Sequence, residues 1–575
     1  MKYLYTLLLM ASSYAVIAQE DKTKTKGTLT GSFESNSQLY TDDEKRFFEA
    51  PEKPFRSNSY LSLQYNYKKW TIGAQGEAYL PEALLNLNPK LEGVGLGTAY
   101  INYKSKKLDI TAGHFYEQFG SGLVFRTWED RSLAINNAMF GGRVKFTPSP
   151  YVRITALGGK QRSGFSLSEG IIAGMNAEVD VLSLLKKTNE ELTIGFSYLG
   201  RHEDIDTAIK NPNFKALTNA FSGRISYSKN AFNGSVEYVN KSKDGILYDM
   251  RTVNNDFVKP GNAVLINLAY AKKGSGINLS LRRLENMSFY SEREPEILAP
   301  EKSSIYYNDK LLNYAPSLNK QHSFSLANIY VFQAQQLVNL DPNTNVGKAG
   351  EIGGMIDFFF EFKKGNKLGG KNGTKVEIAL SNYNNLSGDY VLYPPSYKTD
   401  FLGSGQKYYS DCSIEISKKI STKWKGSLAF INQYYNNKWI TGAAKVTVKT
   451  NILATKWEYK AGKKTSVKVT LEHMWADEDR GNWVSGLLEI SASNKFSFFI
   501  SDMYNYGYDE TSNLIDHFTD PFDIHFYNFG GAYKSGTFRV ALNYGRQRGG
   551  LVCTGGVCRF VVPSTGLGLS VSKSF

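Results

Sequence analysis

One large antiparallel transmembrane β-barrel, with no other fold class beside it, is what three observations predict. Apolar and polar residues alternate along almost the whole chain, and the connections between alternating segments are by turns short and long. Beyond the leader no stretch approaches the ~18 to 20 consecutive apolar residues that a spanning helix needs. Composition agrees with the pattern. Aromatics reach 14% of the 575 residues, with 37 tyrosines and 34 phenylalanines, yet they come as single alternating positions rather than as runs. Tyrosine in this abundance suits half-buried strands and the membrane interface, where the ring lies between hydrocarbon and water.

Residues 1–18 combine a basic Lys2, an apolar run centred on Leu7 to Met10, and the small residues Val16 and Ala18 at cleavage spacing. That pattern is a secretory signal peptide, so the mature chain is expected to begin at Gln19 after export. No cysteine follows the cleavage site to carry a lipid anchor. A short segment, 19–26, then leads into the barrel at 27–575. With the first strand starting near Gly27, any plug is expected to come from a loop.

Period two is plain in many places. Leu61, Leu63, Tyr65 and Tyr67 lie opposite Ser62, Gln64 and Asn66; Leu192, Ile194, Phe196 and Tyr198 lie opposite Thr193, Gly195 and Ser197. The same alternation places Phe221, Ile225 and Tyr227, then Ile356, Phe358, Phe360 and Phe362, then Val446 and Val448, and finally Phe538, Val540, Leu542 and Tyr544 on one face. Segments of ~9 to 12 residues match a tilted strand crossing a bilayer. Lys68-Lys69, Lys104 to Lys107 and Pro148-Ser149 are short connections, whereas Pro81 to Gly93 and Glu117 to Ala138 are long. Short turns at one rim and long loops at the other distinguish an outer-membrane barrel from a soluble sandwich. Counting hairpins gives about 24 strands, within 22 to 26, and a lumen wide enough for water unless something fills it.

The last segment, GLGLSVSKSF, ends on Phe575 after alternating Leu567, Leu569 and Val571. It resembles the C-terminal assembly signal of Gram-negative outer-membrane barrels, which implies Phe575 as the residue read by the barrel-assembly machinery. Lys573 departs from the apolar residue usual at its place.

Catalytic chemistry finds little support. There is no phosphate-binding glycine loop, no dinucleotide fingerprint and no metal-spaced cluster among the six histidines, so neither enzyme activity nor a cofactor is expected. Asp516, His517, Asp520, Asp523 and His525 share one loop, read as a solvated polar loop before a cation site. The hairpin loop WADEDRGNW, Trp475 to Trp483, is read as a surface loop whose tryptophans mark the interface. Cys553 and Cys558 enclose a Thr-Gly-Gly-Val turn and are disulfide candidates in an oxidising compartment. Cys412 is expected to be a small packed residue.

Among the long loops, GHFYEQFGSGLVFRTWEDRSL, ending at Leu133, is the least loop-like. It is expected to fold against the barrel with Arg126 and Arg131 paired to Glu129 and Asp130. The stretch also resembles a motif of an uncharacterised outer-membrane barrel family of gliding and type IX-secreting bacteria, which implies location more than activity. The longest interruption, about 286–350, carries Tyr306, Tyr307 and Tyr314 and the apolar string Ile329 to Phe332. Loops beyond ~12 to 15 residues are usually functional or disordered. A cap or inward constriction and an exposed partner-binding loop stand as equal readings.

The net charge of +14 gathers in the short turns, including Lys106, Lys107, Lys272, Lys273, Lys363, Lys364, Lys463 and Lys464. If those turns are periplasmic they face anionic headgroups of the inner leaflet, which explains the charge without nucleic acid. Glu77, Arg153, Arg224, Glu237, Arg282, Asp357, Glu361, Glu377, Lys445, Lys449, Lys468, Glu472 and Arg539 are expected to face the lumen, because in lipid each would cost about 2 to 4 kcal/mol near the midplane. The leading functional expectation is a porin-like channel for small hydrophilic solutes. Its alternatives are a non-transporting subunit of an outer-membrane assembly or secretion machine, and a surface adhesin or receptor. Expected partners are outer-membrane lipid, the assembly machinery during biogenesis, and a protein bound through extracellular loops.

Overall fold

In the computed structural model, alternation becomes a closed sheet. The structure describes residues 26–85, 91–133, 135–187, 189–204, 211–248, 252–293, 310–442, 447–507 and 523–575. The signal peptide, Gln19, Tyr306, Tyr307, Lys445, Asp516, His517 and Asp520 lie outside these residues.

Twenty-four long strands form the wall, every neighbouring pair antiparallel. In chain order they are β1 (Thr28–Tyr40), β2 (Phe55–Tyr67), β3 (Trp70–Tyr79), β4 (Gly93–Lys104), β5 (Leu108–Phe115), β6 (Met139–Ser149), β7 (Val152–Ser163) and β8 (Ser166–Asp180). There follow β9 (Glu190–His202), β10 (Leu217–Lys229), β11 (Phe232–Tyr248), β12 (Thr252–Lys272), β13 (Ser275–Glu285), β14 (Gly350–Phe362), β15 (Thr374–Val391) and β16 (Ser396–Lys419). The last eight are β17 (Trp424–Asn436), β18 (Thr447–Lys460), β19 (Ser466–Ala476), β20 (Asn482–Ser491), β21 (Phe496–Gly507), β22 (Asn528–Ser535), β23 (Phe538–Gln547) and β24 (Ser564–Ser574). Each strand pairs with the next in sequence, and β1 pairs with β24, Ser32 opposite Ser574 through Tyr40 opposite Gly566. The sheet thus has no free edge, which is how a β-structure satisfies its backbone in hydrocarbon.

Phe575 extends the closing seam. Its amide donates to the Gly31 carbonyl and its carbonyl accepts from the Gly31 amide, both at 2.9 Å. A Cβ on Gly31 would stand 2.6 Å from the Phe575 ring, so glycine there leaves the ring its place.

The outward face is apolar. Ile72, Ile194, Ile225, Leu428, Leu471 and Ile500 are each roughly half exposed, as the lipid-facing residues of a barrel wall are. Toward the short-turn rim this face turns aromatic: Trp70 meets Tyr103 at 4.9 Å, Trp424 meets Tyr459 at 4.7 Å, and Phe496 meets Tyr533 at 5.0 Å between ring centroids. Lys68 lies over the Tyr67 ring and Lys69 over Tyr103. This is the interfacial girdle expected of a transmembrane barrel. Cys412 is exposed on the same outward face rather than packed, since its neighbour Asp411 takes the inward position.

Candidate functional site: the filled lumen

Two long loops fold inward from the long-loop rim, and the second reaches down to Glu377 through Lys320. The first is 116–138, which makes two miniature hairpins, Gln118–Phe119 with Phe125–Arg126 and Glu129–Asp130 with Ile135–Asn136. Gly120 and Gly122 adopt positive φ, 53° and 95°, which lets the turn between the first pair close tightly. Phe119 and Phe125 then pack 5.3 Å apart onto inward Leu157, Ile172 and Leu199 of the wall. Arg131 pairs with Glu129 at 3.0 Å and also reaches Glu34 on β1 at 2.5 Å. Arg126 departs from the expected acid pairing. Its guanidinium lies 3.8 Å from the Tyr314 ring centre and 5.0 Å from that of Trp128, a cation–π site between the two loops.

The second loop is 286–349. Its apolar string has found the surface it needs: Ile329, Tyr330 and Phe332 are buried with Phe324 and Leu326 against inward Tyr383, Tyr409, Ile431 and Ile452. Phe332 stacks between Tyr383 at 4.7 Å and Tyr409 at 5.2 Å. Of the two readings of this segment, the described parts, 286–293 and 310–349, follow the inward one.

An irregular loop inside a barrel leaves many peptide groups without strand partners, and those groups must be satisfied. Wall side chains meet that need. Arg201 donates to the Tyr290 carbonyl at 2.8 Å, Lys241 to Ser288 at 2.6 Å, Tyr383 to Leu318 at 2.6 Å and Gln433 to Ala327 at 3.1 Å. Glu472 accepts from the amides of Ser325 at 2.9 Å and Leu326 at 2.8 Å, the first turn of a short 3₁₀ helix, Leu326–Asn328. Glu351 accepts from the Gln335 amide at 2.6 Å and pairs with Arg282, which also donates to the Pro316 carbonyl. From above, the hairpin Gly550–Thr554 with Val557–Val561 presses on the loop, and Ser317 donates to the Gly556 carbonyl at 2.7 Å. The Cys553–Cys558 disulfide joins its two arms.

The charges singled out in the sequence separate by height. Glu77, Arg224, Glu237, Arg282 and Glu472 are buried or nearly so beside the inward loops, with Glu77 paired to Arg162 at 2.6 Å and Arg224 to Glu178 at 3.2 Å. Nearer the short-turn rim Arg153, Glu361 and Arg539 are exposed. There Glu377 meets Lys320 at 3.3 Å, Lys468 meets Glu489, and Asp357 accepts from Asn278 at 3.1 Å.

On β18 the expected parity is reversed. Val448 is fully buried inward with Ile452 and Ala454, and Lys449 stands outward and exposed. The plug supplies an apolar inner surface there, so the apolar side of the strand turns in. Trp483 is reversed for the same reason. It is fully buried and stacks on Phe526 at 5.7 Å, so of the pair Trp475 alone is on the outer face.

The filling is one-sided. Among the described residues, none from β22, β23, β24 or β1 enters the apolar clusters against which the two loops pack. The inward positions of this seam are small, polar or charged, among them Glu34, Asn36, Asn528, Gly530, Arg539, Asn543, Gly568 and Ser570. Ser570 donates to Asn36 at 2.7 Å and Asn543 to Asn528 at 3.2 Å. At the long-loop end the seam is capped by Asp43, which accepts from Arg546 at 2.6 and 2.8 Å and from Thr565 at 2.5 Å, beside Arg46 over the Phe526 ring at 4.8 Å.

A closed 24-strand barrel with an apolar belt, whose lumen is entered by its own loops, is the class this geometry defines. The whole chain, residues 1–575, matches the family described as a family of unknown function (DUF6029), and it belongs to that family. No curated protein sequence matches it. Among solved structures it is similar to the siderophore receptor PirA from Pseudomonas aeruginosa, at 10% identity and TM-score 0.42 over 96% of this chain and 81% of that one. It is also similar to the P pilus usher (PapC) translocation pore, at 8% identity and TM-score 0.40 over 95% and 99%. A third is a BenF-like porin from Pseudomonas fluorescens Pf-5, at 10% identity and TM-score 0.34 over 80% and 96%.

Proposed function

We propose that this is an exported outer-membrane channel for small hydrophilic solutes, closed at rest by its inward loops, with the polar seam as the path that opens. One observation carries the reading: the apolar side of the plug packs against one arc of the wall, while the opposite arc is lined by small, polar and charged residues. A plug serving only as a core would be expected to seal the whole circumference. The seam's cap, Asp43 with Arg546, is a single ion pair at the long-loop end. On this reading the lysine-rich short turns face the periplasm, against the anionic inner leaflet.

Single-channel recording in a planar bilayer tests this. The native barrel should be closed with brief openings, Asp43→Asn with Arg546→Gln should lengthen them, and deletion of 301–345 should give a steady, larger conductance. A correctly assembled barrel silent in all three forms would move the function to the non-transporting accessory subunit, which the extensive apolar seating of the plug also suits.

A further inference from the structure

We infer that the outer wall carries a binding groove for one acyl chain of a membrane lipid, formed where residues 399–403 strap across β14 and β15. The strap has a clear origin in the register. Along β15 and β16 the pairing jumps from Leu386–Ser404 to Gly388–Thr399, so Asp400, Phe401, Leu402 and Gly403 stand opposite the single residue Ser387. Extra residues on one strand are pushed out of the sheet. Here they leave toward the lipid side, and Arg283 on β13 catches them: its Nε donates to the Phe401 carbonyl at 2.7 Å and its guanidinium lies 4.9 Å from the Phe401 ring centre. Because β14 and β15 lie between β13 and β16, the strap bridges both.

Beneath it is a cavity of about 550 Å³, floored by outward Val264, Leu279, Ile352, Ile356 and Leu380 and roofed by Leu402. Its volume is that of a small-molecule site, roughly 300 to 1,000 Å³. Gly354 keeps the floor low, since a Cβ there would stand 2.7 Å from Leu281 Cδ2.

The occupant follows from the two ends of the groove. Its upper end is polar and closed: Arg283 also donates to Glu285 at 2.8 Å, Asn262 and Thr399. Its lower end runs into the exposed apolar belt at Leu281 and Leu380. Arg283 lies eight residues along β13 from Ser275 at the short-turn rim, about 20 Å up at the rise and tilt of barrel strands, near the top of an apolar band ~25 Å tall. A groove shut by charge at headgroup level and open to hydrocarbon below admits a chain from the bilayer. Below Arg283 the lining is mainly apolar, with Asn382 the outward polar side chain among it, so an ion or polar solute would find few partners there. Leu402, 81% exposed, is the roof residue such a chain would cover.

The inference rests on the barrel's residing in a bilayer, and the test separates the two. The full chain is extracted from membranes in mild detergent and examined by native mass spectrometry. One membrane lipid per barrel, identified by mass, is expected to persist, and Val264→Trp with Ile356→Trp, which fills the floor, should lower its occupancy about tenfold or more. In parallel, a bimane on Leu402→Cys, in a Cys412→Ser background, should be quenched by nitroxide-bearing acyl chains more strongly than one on Leu471→Cys on the open wall. A barrel that inserts into vesicles yet retains no lipid, retains a free fatty acid or detergent instead, pairs with a second copy through this face, keeps its lipid after the floor is filled, or shows equal quenching at both sites overturns the groove. A chain that fails to insert at all overturns the membrane reading first.

Discussion

Replacing Glu351 by alanine removes one bond from wall to plug and takes the counter-charge from Arg282, which makes another. One oxygen of this carboxylate pairs with Arg282 and the other accepts from the Gln335 amide at 2.6 Å, while Arg282 holds the Pro316 carbonyl. Glu351 and the Arg282 side chain are essentially unexposed. Removing one member of a buried pair costs about 3 to 5 kcal/mol, because the remaining charge is stranded. Spent on the docking of residues 310–349, that shifts the docked-to-undocked ratio by about a hundred- to several thousandfold. Hydrogen exchange read by mass spectrometry should therefore show the amides around Gln335 and Leu312 exchanging faster in Glu351→Ala by that order, while strand amides on the far arc stay protected. The double variant Arg282→Met with Glu351→Leu strands no charge, and apolar replacement of a buried pair is often neutral or stabilising. Its barrel should melt near the native temperature, yet the Gln335 and Pro316 groups still lose their partners, so exchange there should remain fast. Unchanged exchange in Glu351→Ala would refute the assignment of this pair as the plug's anchor.

Three further outcomes follow from the same contacts. Lys348, on the short strand Val346–Lys348 within the loop, is pushed down from 10.5 to about 8 by burial and donates to Gln335 and to the Trp439 carbonyl. The docked plug prefers the neutral amine, so docking is weakest below about pH 8 and strengthens as pH rises toward 10.5; protease cleavage within 310–349 should slow over that window, and Lys348→Met should abolish the slope. Cysteine at Lys106 should resist an impermeant thiol reagent in intact cells while cysteine at exposed Asn345 is labelled, in a background free of native thiols, and the opposite pattern would invert the topology. Phe575→Ala removes the ring seated over Gly31, and heat-modifiable barrel in the membrane should fall several-fold, whereas unchanged yield would deny Phe575 a part in assembly.

The wall was legible because lipid imposes one rule on every strand: polar residues in and apolar residues out. Leu61 to Tyr67 and Ile356 to Phe362 obey it, and counting such segments reaches the number of strands present. The rule failed where the lumen is not water. Val448 and Trp483 face inward because Ile329 to Phe332 made an apolar interior for them, and local alternation carries no sign of what a distant loop will do. The same string did announce that it needed a surface, of which the barrel's own mouth is the nearest, but not which wall residues would supply it. Arg126 was misjudged for a related reason: acids lie next to it in sequence, whereas Tyr314, which takes it, comes from the other loop. The seam was present as a run of small and polar residues, but glycine, serine and asparagine alternate unremarkably in any strand. Only closure shows them to be neighbours.

The hairpin that presses on the plug also has a place in time. Gly556 holds Ser317 from the last connection of the sheet, between β23 and β24, and Arg546 holds Asp43 from the other end of the chain. Both contacts join residues far apart in sequence, so neither forms until most of the chain is in place. Once β24 meets β1 the hoop of hydrogen bonds is continuous and the last hairpin lies over 310–349, so this hairpin is the piece that must lift before the loop can leave by the mouth.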